Sequence, residues 1–217
     1  MNNYITVLLT GIMLLLLSCE PAVTFNAPLP EHVRSLTNFP DRLQGNYLAA
    51  DEASMVTITD KFMIRNYEFE LKTHKDGLDT CYQLKGDTLV NIAANTKEKI
   101  SLKGDTVIQY MTETDTLFSI SPNNILKKFK GYYFLNKRIG DNAWEVKKLT
   151  LQKGTLAIGR IADEVDIQKL KEITETTADT TSTHFTLTKL QLKKFIKQDG
   201  FAEEETFIRM NKNRRSQ

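Results

Sequence analysis

Few side chains in this 217-residue chain can do chemistry, and they are dispersed. It contains three histidines and two cysteines. His32, His74 and His184 stand far apart, none with a ligand-type partner at metal-binding spacing, so no metal site is predicted. Cys81, in Asp79-Thr80-Cys81-Tyr82-Gln83-Leu84, has no second cysteine at CxxC spacing and no histidine nearby. It reads as a half-buried strand thiol and not as a nucleophile. Ser182 lies two before His184, but a nucleophile and its base are recognised by geometry, not by adjacency in sequence. The chain has no Gly-x-Ser-x-Gly elbow and no phosphate loop. Glu203-Glu204-Glu205 offers carboxylates for acid–base work, yet such a run is better explained as a charged strand edge that discourages sheet-to-sheet pairing. The expectation is a protein with no catalytic residues, no metal and no cofactor.

The remaining cysteine has a different setting. Residues 1–18 carry no charged side chain, and Val7–Leu17 is apolar except for Thr10 and Gly11. The run falls short of the roughly 20 residues of a membrane span and suits the apolar core of a secretory signal. It closes on Leu16-Leu17-Ser18-Cys19, which resembles the lipobox of bacterial lipoproteins. The resemblance implies a signal peptide over 1–18, cleavage before Cys19, a diacylglyceryl thioether on its sulfur and a further acyl chain on the new amine. Several chains are needed because one binds a bilayer only marginally and two hold it. The implied place is the cell envelope, with the outer membrane the expected one, and the lipid anchor the link to it. Cys81 is then alone, so no intrachain disulfide forms.

Charge is nearly balanced, 29 basic against 27 acidic residues for a net +2. That argues against a nucleic-acid partner. The one basic cluster, Lys212-Asn213-Arg214-Arg215, belongs to a terminal tail over 212–217 and reads as a solvated end. Four of the five prolines, Pro21, Pro28, Pro30 and Pro40, fall in Glu20–Pro40. Prolines at this density predict an extended tether over 19–40 that stays out of a sheet interior.

From Gly45 onward strands and tight turns dominate. Tyr67, Phe69 and Leu71 alternate with Glu68, Glu70 and Lys72, the period of a half-buried strand. Phe62 and Ile64 take the opposite parity, which predicts a bulge or bend near Arg65–Asn66. Lys85-Gly86-Asp87-Thr88 and Lys103-Gly104-Asp105-Thr106 place glycine where a type II′ hairpin turn wants it, and Lys153-Gly154 marks another hairpin. The second half resembles a diverged copy of the first. Leu43-Gln44-Gly45-Asn46-Tyr47 matches Phe129-Lys130-Gly131-Tyr132-Tyr133, Val56-Thr57-Ile58-Thr59 matches Leu149-Thr150-Leu151-Gln152, and Asp115-Thr116-Leu117-Phe118 matches Glu205-Thr206-Phe207-Ile208. The second copy adds two helices. One has Asp163 as cap before Ile167, Leu170 and Ile173; the other opens on a Thr188–Gln191 capping box before Leu192, Phe195 and Ile196, with Gly200 as stop. Thr174–Thr183 between them reads as an exposed loop. The predicted fold class is therefore mainly β. An antiparallel meander forms two related lobes, 41–122 and 123–211, or one elongated sandwich or barrel, with two helices inserted in the second half.

Two weaker patterns bear on function. Gly-x-Tyr at 45–47 and 131–133 resembles the Gly-x-Trp opening of lipocalins, which would imply a barrel with an apolar cavity; a bend at Gly and a core Tyr explain it as well. Asp87-Thr88-Leu89, Asp105-Thr106-Val107, Asp115-Thr116-Leu117 and Asp179-Thr180-Thr181 resemble the Asp-Ser/Thr-aliphatic O-glycosylation acceptor of Bacteroidota envelope proteins. That implies Thr180, Thr88, Thr106 and Thr116 as acceptors, although Asp and Thr also favour hairpin exits. The leading expectation is a non-enzymatic envelope lipoprotein that binds another envelope protein or glycan. The alternative is a lipocalin-like carrier of a small apolar ligand.

Overall fold

The computed structural model describes residues 23–50, 53–175 and 183–210. Cys19, Thr180, Ser182 and the tail 212–217 lie outside them. The N-terminal segment supplies β1 (Thr24–Phe25) and β2 (Ser35–Leu36). A meander of β3 (Gly45–Ala49), β4 (Ser54–Ile58) and β5 (Phe62–His74) follows, ending in a 3-10 turn over Lys75–Gly77. Next come β6 (Tyr82–Lys85), β7 (Thr88–Asn91) and β8 (Thr96–Lys103), after which β9 (Thr106–Ser119) returns along β5. The second half runs β10 (Asn124–Phe129), β11 (Tyr132–Gly140), β12 (Ala143–Gln152), β13 (Thr155–Arg160), α1 (Glu164–Thr174), β14 (His184–Phe185), α2 (Lys189–Lys197) and β15 (Glu203–Arg209).

The protein is mainly β, as the patterning predicts. Its strands join one sheet in the order β2-β10-β11-β12-β13-β15-β3-β4-β5-β9-β8-β7-β6, with β1 attached at β12 and β14 at β1. Every pair is antiparallel except β1–β14. The sheet does not close into a barrel, because its two ends, β2 and β6, do not pair. It curls instead. Met63 and Phe118 from one side share a core with Leu126, Tyr133 and Leu149 from the other, and Phe39 meets Phe118 edge-on at 6.1 Å.

The two halves repeat one plan. In the first, β3-β4-β5 is a meander and β9 pairs with β5 after an excursion; in the second, β11-β12-β13 is a meander and β15 pairs with β13 after an excursion. The registers agree with the sequence matches. Tyr47 faces Val56, which faces Arg65; Tyr133 faces Leu149, which faces Ile158. Gly45 and Gly131 take φ of +138° and +90°, and the tyrosines two residues on are fully buried. Each tyrosine lies under an arginine at 5.1 Å, Arg209 over Tyr47 and Arg42 over Tyr133. Bend and core filling thus account for both Gly-x-Tyr motifs. The halves are not separate lobes, since β15 pairs directly with β3 and both contribute to one core.

Several local expectations hold. At Gly86 and Gly104 the first turn residue alone has positive φ, the type II′ pattern. Asp163 accepts from the Asp166 N–H at 2.7 Å to open α1, and Thr188 and Gln191 form the reciprocal capping box of α2. Gly200 matters for a reason besides stopping a helix: a Cβ there would lie 2.6 Å from the Phe195 ring.

Others are corrected. Val23–Pro40 is no tether. Val23, Phe25, Leu29 and Phe39 are buried, β1 and β2 pair with β12 and β10, and Asn136 holds Leu29 through both its N–H at 2.6 Å and its carbonyl at 2.9 Å. The prolines fit because their carbonyls are used: Lys127 donates to those of Pro28 and Pro30. The bulge sits one strand away from its expected place. Pairing runs unbroken from Ile58–Met63 to Ser54–Tyr67, so Phe62 and Ile64 simply face outward, and β9 carries the extra residue at Leu117 opposite the Met63/Ile64 step. Cys81 is half-buried but lies in the turn before β6, where burial pushes its thiol upward in pKa. The charged-edge reading of Glu203–Glu205 holds locally: these residues pair with β13 on one side, and β3 joins β15 only at Phe207–Arg209, so among the described residues no strand lies on their other side.

Candidate functional site

The inner face of the curled sheet changes character along its strands. At the base it is the apolar core. Toward the open end the same side-chain column on β5 continues from Met63 to Arg65, Tyr67, Phe69 and Leu71, while β9 continues from Phe118 to Asp115, Glu113 and Met111. On the facing wall Lys147, Arg160, Glu203 and Glu205 occupy the corresponding height. Between the walls is a cavity of about 210 Å³ with a floor of Met63, Leu117, Leu135 and Ile158.

Ion pairs bind this mouth together. Arg65 donates to the Tyr67 hydroxyl at 3.0 Å and to Glu205, and its guanidinium lies 5.2 Å from the Phe207 ring. Burial opposes its charge, but the Tyr67 hydrogen bond and the Glu205 carboxylate outweigh that and raise its pKa above the ordinary value. Arg160 pairs with Glu203, which raises it likewise. Lys148, on the outer face, reaches Glu204 at 3.1 Å. The glutamate run therefore acts as three separate ion-pair acceptors. Asp115 and Glu113 differ: neither has an ion pair or hydrogen-bond partner among the described residues. The repeat explains the contrast. Arg65 stands where the second half has Ile158, and Asp115 stands where it has Glu205, so two equivalent carboxylates meet one cation, which takes Glu205.

Above the mouth β5 and β9 run on as an arm, carrying β8, β7 and β6 beside them. The arm buries Leu89, Ile100 and Val107 in a small cluster of its own, with Leu78, Tyr82 and Leu84 packed on it and Ile108 buried on the other face. Phe69 is 46% exposed, Leu71 45% and Leu102 41%, all on the inner face. Its outer face carries Lys85, Lys97, Lys99 and Lys103, which make no ion pair among the described residues.

Of the residues singled out in the sequence, Glu203 and Glu205 line this mouth, and the others do not gather here. Thr88 and Thr106 are half-buried at the hairpin exits, and the Thr88 hydroxyl donates to Asp87 at 3.2 Å. Thr116 is exposed on β9. His74 caps the turn after β5, accepting from the Asp76 N–H at 3.3 Å, and His184 meets the Thr24 hydroxyl at 2.7 Å on the far side. Arg65 and Asp115 escaped notice because each looked like an ordinary strand charge. Their facing repeat positions, an isoleucine and a glutamate, were the available signal. A lipocalin-like carrier would need a closed barrel around an open apolar cavity, whereas this sheet stays open and its base is filled by Tyr47, Tyr133, Phe39 and Phe118. No known protein family, curated protein or solved structure matches the chain.

Proposed function

We propose that this chain is a lipid-anchored lipoprotein of the bacterial cell envelope, held in the outer membrane, whose body binds another envelope component without catalysis. The observation that supports binding is the arm. A structure with so little core of its own gains little stability from being long, yet it presents Phe69, Leu71 and Leu102 on one side. Leu16-Leu17-Ser18-Cys19 supports the anchor, with Cys19 the acylated residue. Thr88, Thr106, Thr116 and Thr180 are acceptor hydroxyls for O-glycosylation under the same reading, and Thr116 is the exposed one among those described. Replacing Cys19→Ser in the native host and following membrane fractionation and labelled-palmitate incorporation tests the anchor. The expected result is loss of label and release from the membrane fraction. A C19S chain that stays as firmly in the membrane contradicts it. Intact mass of the native chain reads the sugars.

A further inference from the structure

Among the described residues an interior strand, β5, leaves part of one edge open, besides the outer edges of the end strands β2 and β6. β4 pairs with β5 from Met63 to Tyr67, and the last link is the Glu68 N–H donating to the Ala53 carbonyl at 3.4 Å. Beyond it, from Glu70 to His74, β5 has β9 on one side and, among the described residues, no strand on the other. Successive residues of a strand turn their backbone groups to opposite sides. The Glu68 N–H points to the β4 side and the Lys75 N–H to the Asp105 carbonyl beside β9. Glu70 and Lys72 therefore turn N–H and C=O to the open side. An unblocked edge of this kind accepts a further strand.

The side chains around the edge select what can be added. Phe69 and Leu71 line it on the inner face, nearly half exposed. Glu68 and Glu70 line it on the outer face, where Lys72 answers Glu70 at 3.1 Å and Glu68 has no cation among the described residues. One strand further in, on the inner face opposite Tyr67 and Arg65, the Glu113 and Asp115 carboxylates have no ion pair among the described residues. A second copy docked antiparallel about Leu71 sets Glu70 against Lys72, so a dimer through this edge is an outcome of the test that overturns the partner reading, read from the oligomeric state of the free chain. A strand with apolar residues on one face and lysine or arginine on the other meets both requirements. We infer that the open edge of β5 docks an extended polypeptide segment of a partner, alternating apolar and basic residues, added as a strand beside Glu70–His74. This rests on the binding-module reading above and gives its partner a chemistry.

The test uses the full chain in detergent and a fluorescent acetyl-Lys-Val-Lys-Val-Lys-Val-Lys-amide peptide, read by polarisation. Lys72→Pro removes an outward N–H that has no native acceptor, a position where a strand tolerates proline. It also removes a positive charge, so any loss of a cationic peptide cannot come from charge. Expected is binding by the native chain, a loss of about tenfold or more in K72P, and no loss in Lys72→Ala. Glu68→Gln with Glu70→Gln weakens binding and flattens its salt dependence. A peptide N-methylated on the amides that face β5 fails to bind, which keeps the test decisive whatever the stability of K72P. The inference is overturned if native chain and peptide do not bind, if a Glu-Val peptide or spermidine binds equally well, or if the N-methylated peptide binds like its parent. Membrane fractionation of C19S reads the anchor separately, so an anchored chain that ignores the peptide overturns the edge alone.

Discussion

The two halves of this protein interrupt the same four-strand plan at the same place and do opposite things with the interruption. In the second half the inserted segment folds back: α1, β14 and α2 lie on the outer face of the sheet, and Leu170, Ile173, Leu192 and Phe195 join Phe134 and Val146 in a core with Val23, Phe25 and Leu29. In the first half the inserted β6, β7 and β8 stay beside the extended β5 and β9 and bury three residues together. One insertion completes the core, while the other is held out from it. Sheet edges and apolar side chains that the first arrangement hides are left open by the second, which is why the binding hypothesis belongs to the arm.

The contrast can be broken most visibly by truncating one aromatic from each region. Phe195→Ala should cost about 3–5 kcal/mol in denaturant unfolding, the range for a buried phenylalanine, whereas Phe69→Ala should stay within about 0.5 kcal/mol. Equal losses would mean the arm is packed against something. Asn136→Ala comes next. Its amide serves the N–H and carbonyl of Leu29 together with the carbonyls of Ile125 and Phe134, and leaving such buried groups unpaired should cost about 3 kcal/mol. Limited proteolysis should then cut first within 23–40. Gly200→Ala, which drives a methyl into the Phe195 ring, should cost about 2 kcal/mol. In the arm Gly104→Ala meets no neighbour but keeps a φ of +61°, so about 1 kcal/mol is expected.

The smallest effect concerns pH. The hydrogen bond from Lys75 and its charge hold the Asp105 carboxyl below its ordinary 3.8. A carboxyl lowered on folding stabilises fully above its unfolded value and loses that contribution as pH falls through the lower folded one. Protection of the amides at the β5–β9 end, measured against the intrinsic exchange rate at each pH, should therefore fall below pH 3.8 in the native chain, and Asp105→Asn should remove the dependence. The group is exposed, so added salt should weaken the effect.

Local chemistry was readable in the sequence. Both helix caps, the glycine turns and the paired Gly-x-Tyr bends follow from residues within a few positions of one another. What failed depended on distant partners. The prolines of 23–40 suggested an excluded tether, although Phe25, Leu29 and Phe39 lay among them as apolar anchors; Lys127 and Asn136, about a hundred residues away, supply the hydrogen bonds that admit that backbone. Parity along β5 predicts a bulge there, whereas the extra residue is on β9, whose pairing with β5 the local pattern does not show. The β5 edge could not be read at all. It exists because β4 is short relative to β5, and relative strand length appears only once the pairing is known.

The central claim, that the arm presents an open strand while the second insertion is closed, is tested most directly by residue-resolved hydrogen exchange of the free chain. The account predicts alternation along β5: slow amides at Phe69 and Leu71, which face β9, and fast ones at Glu70 and Lys72, with slow exchange throughout the middle of α2. Protection of Glu70 and Lys72 equal to that of their neighbours would contradict it.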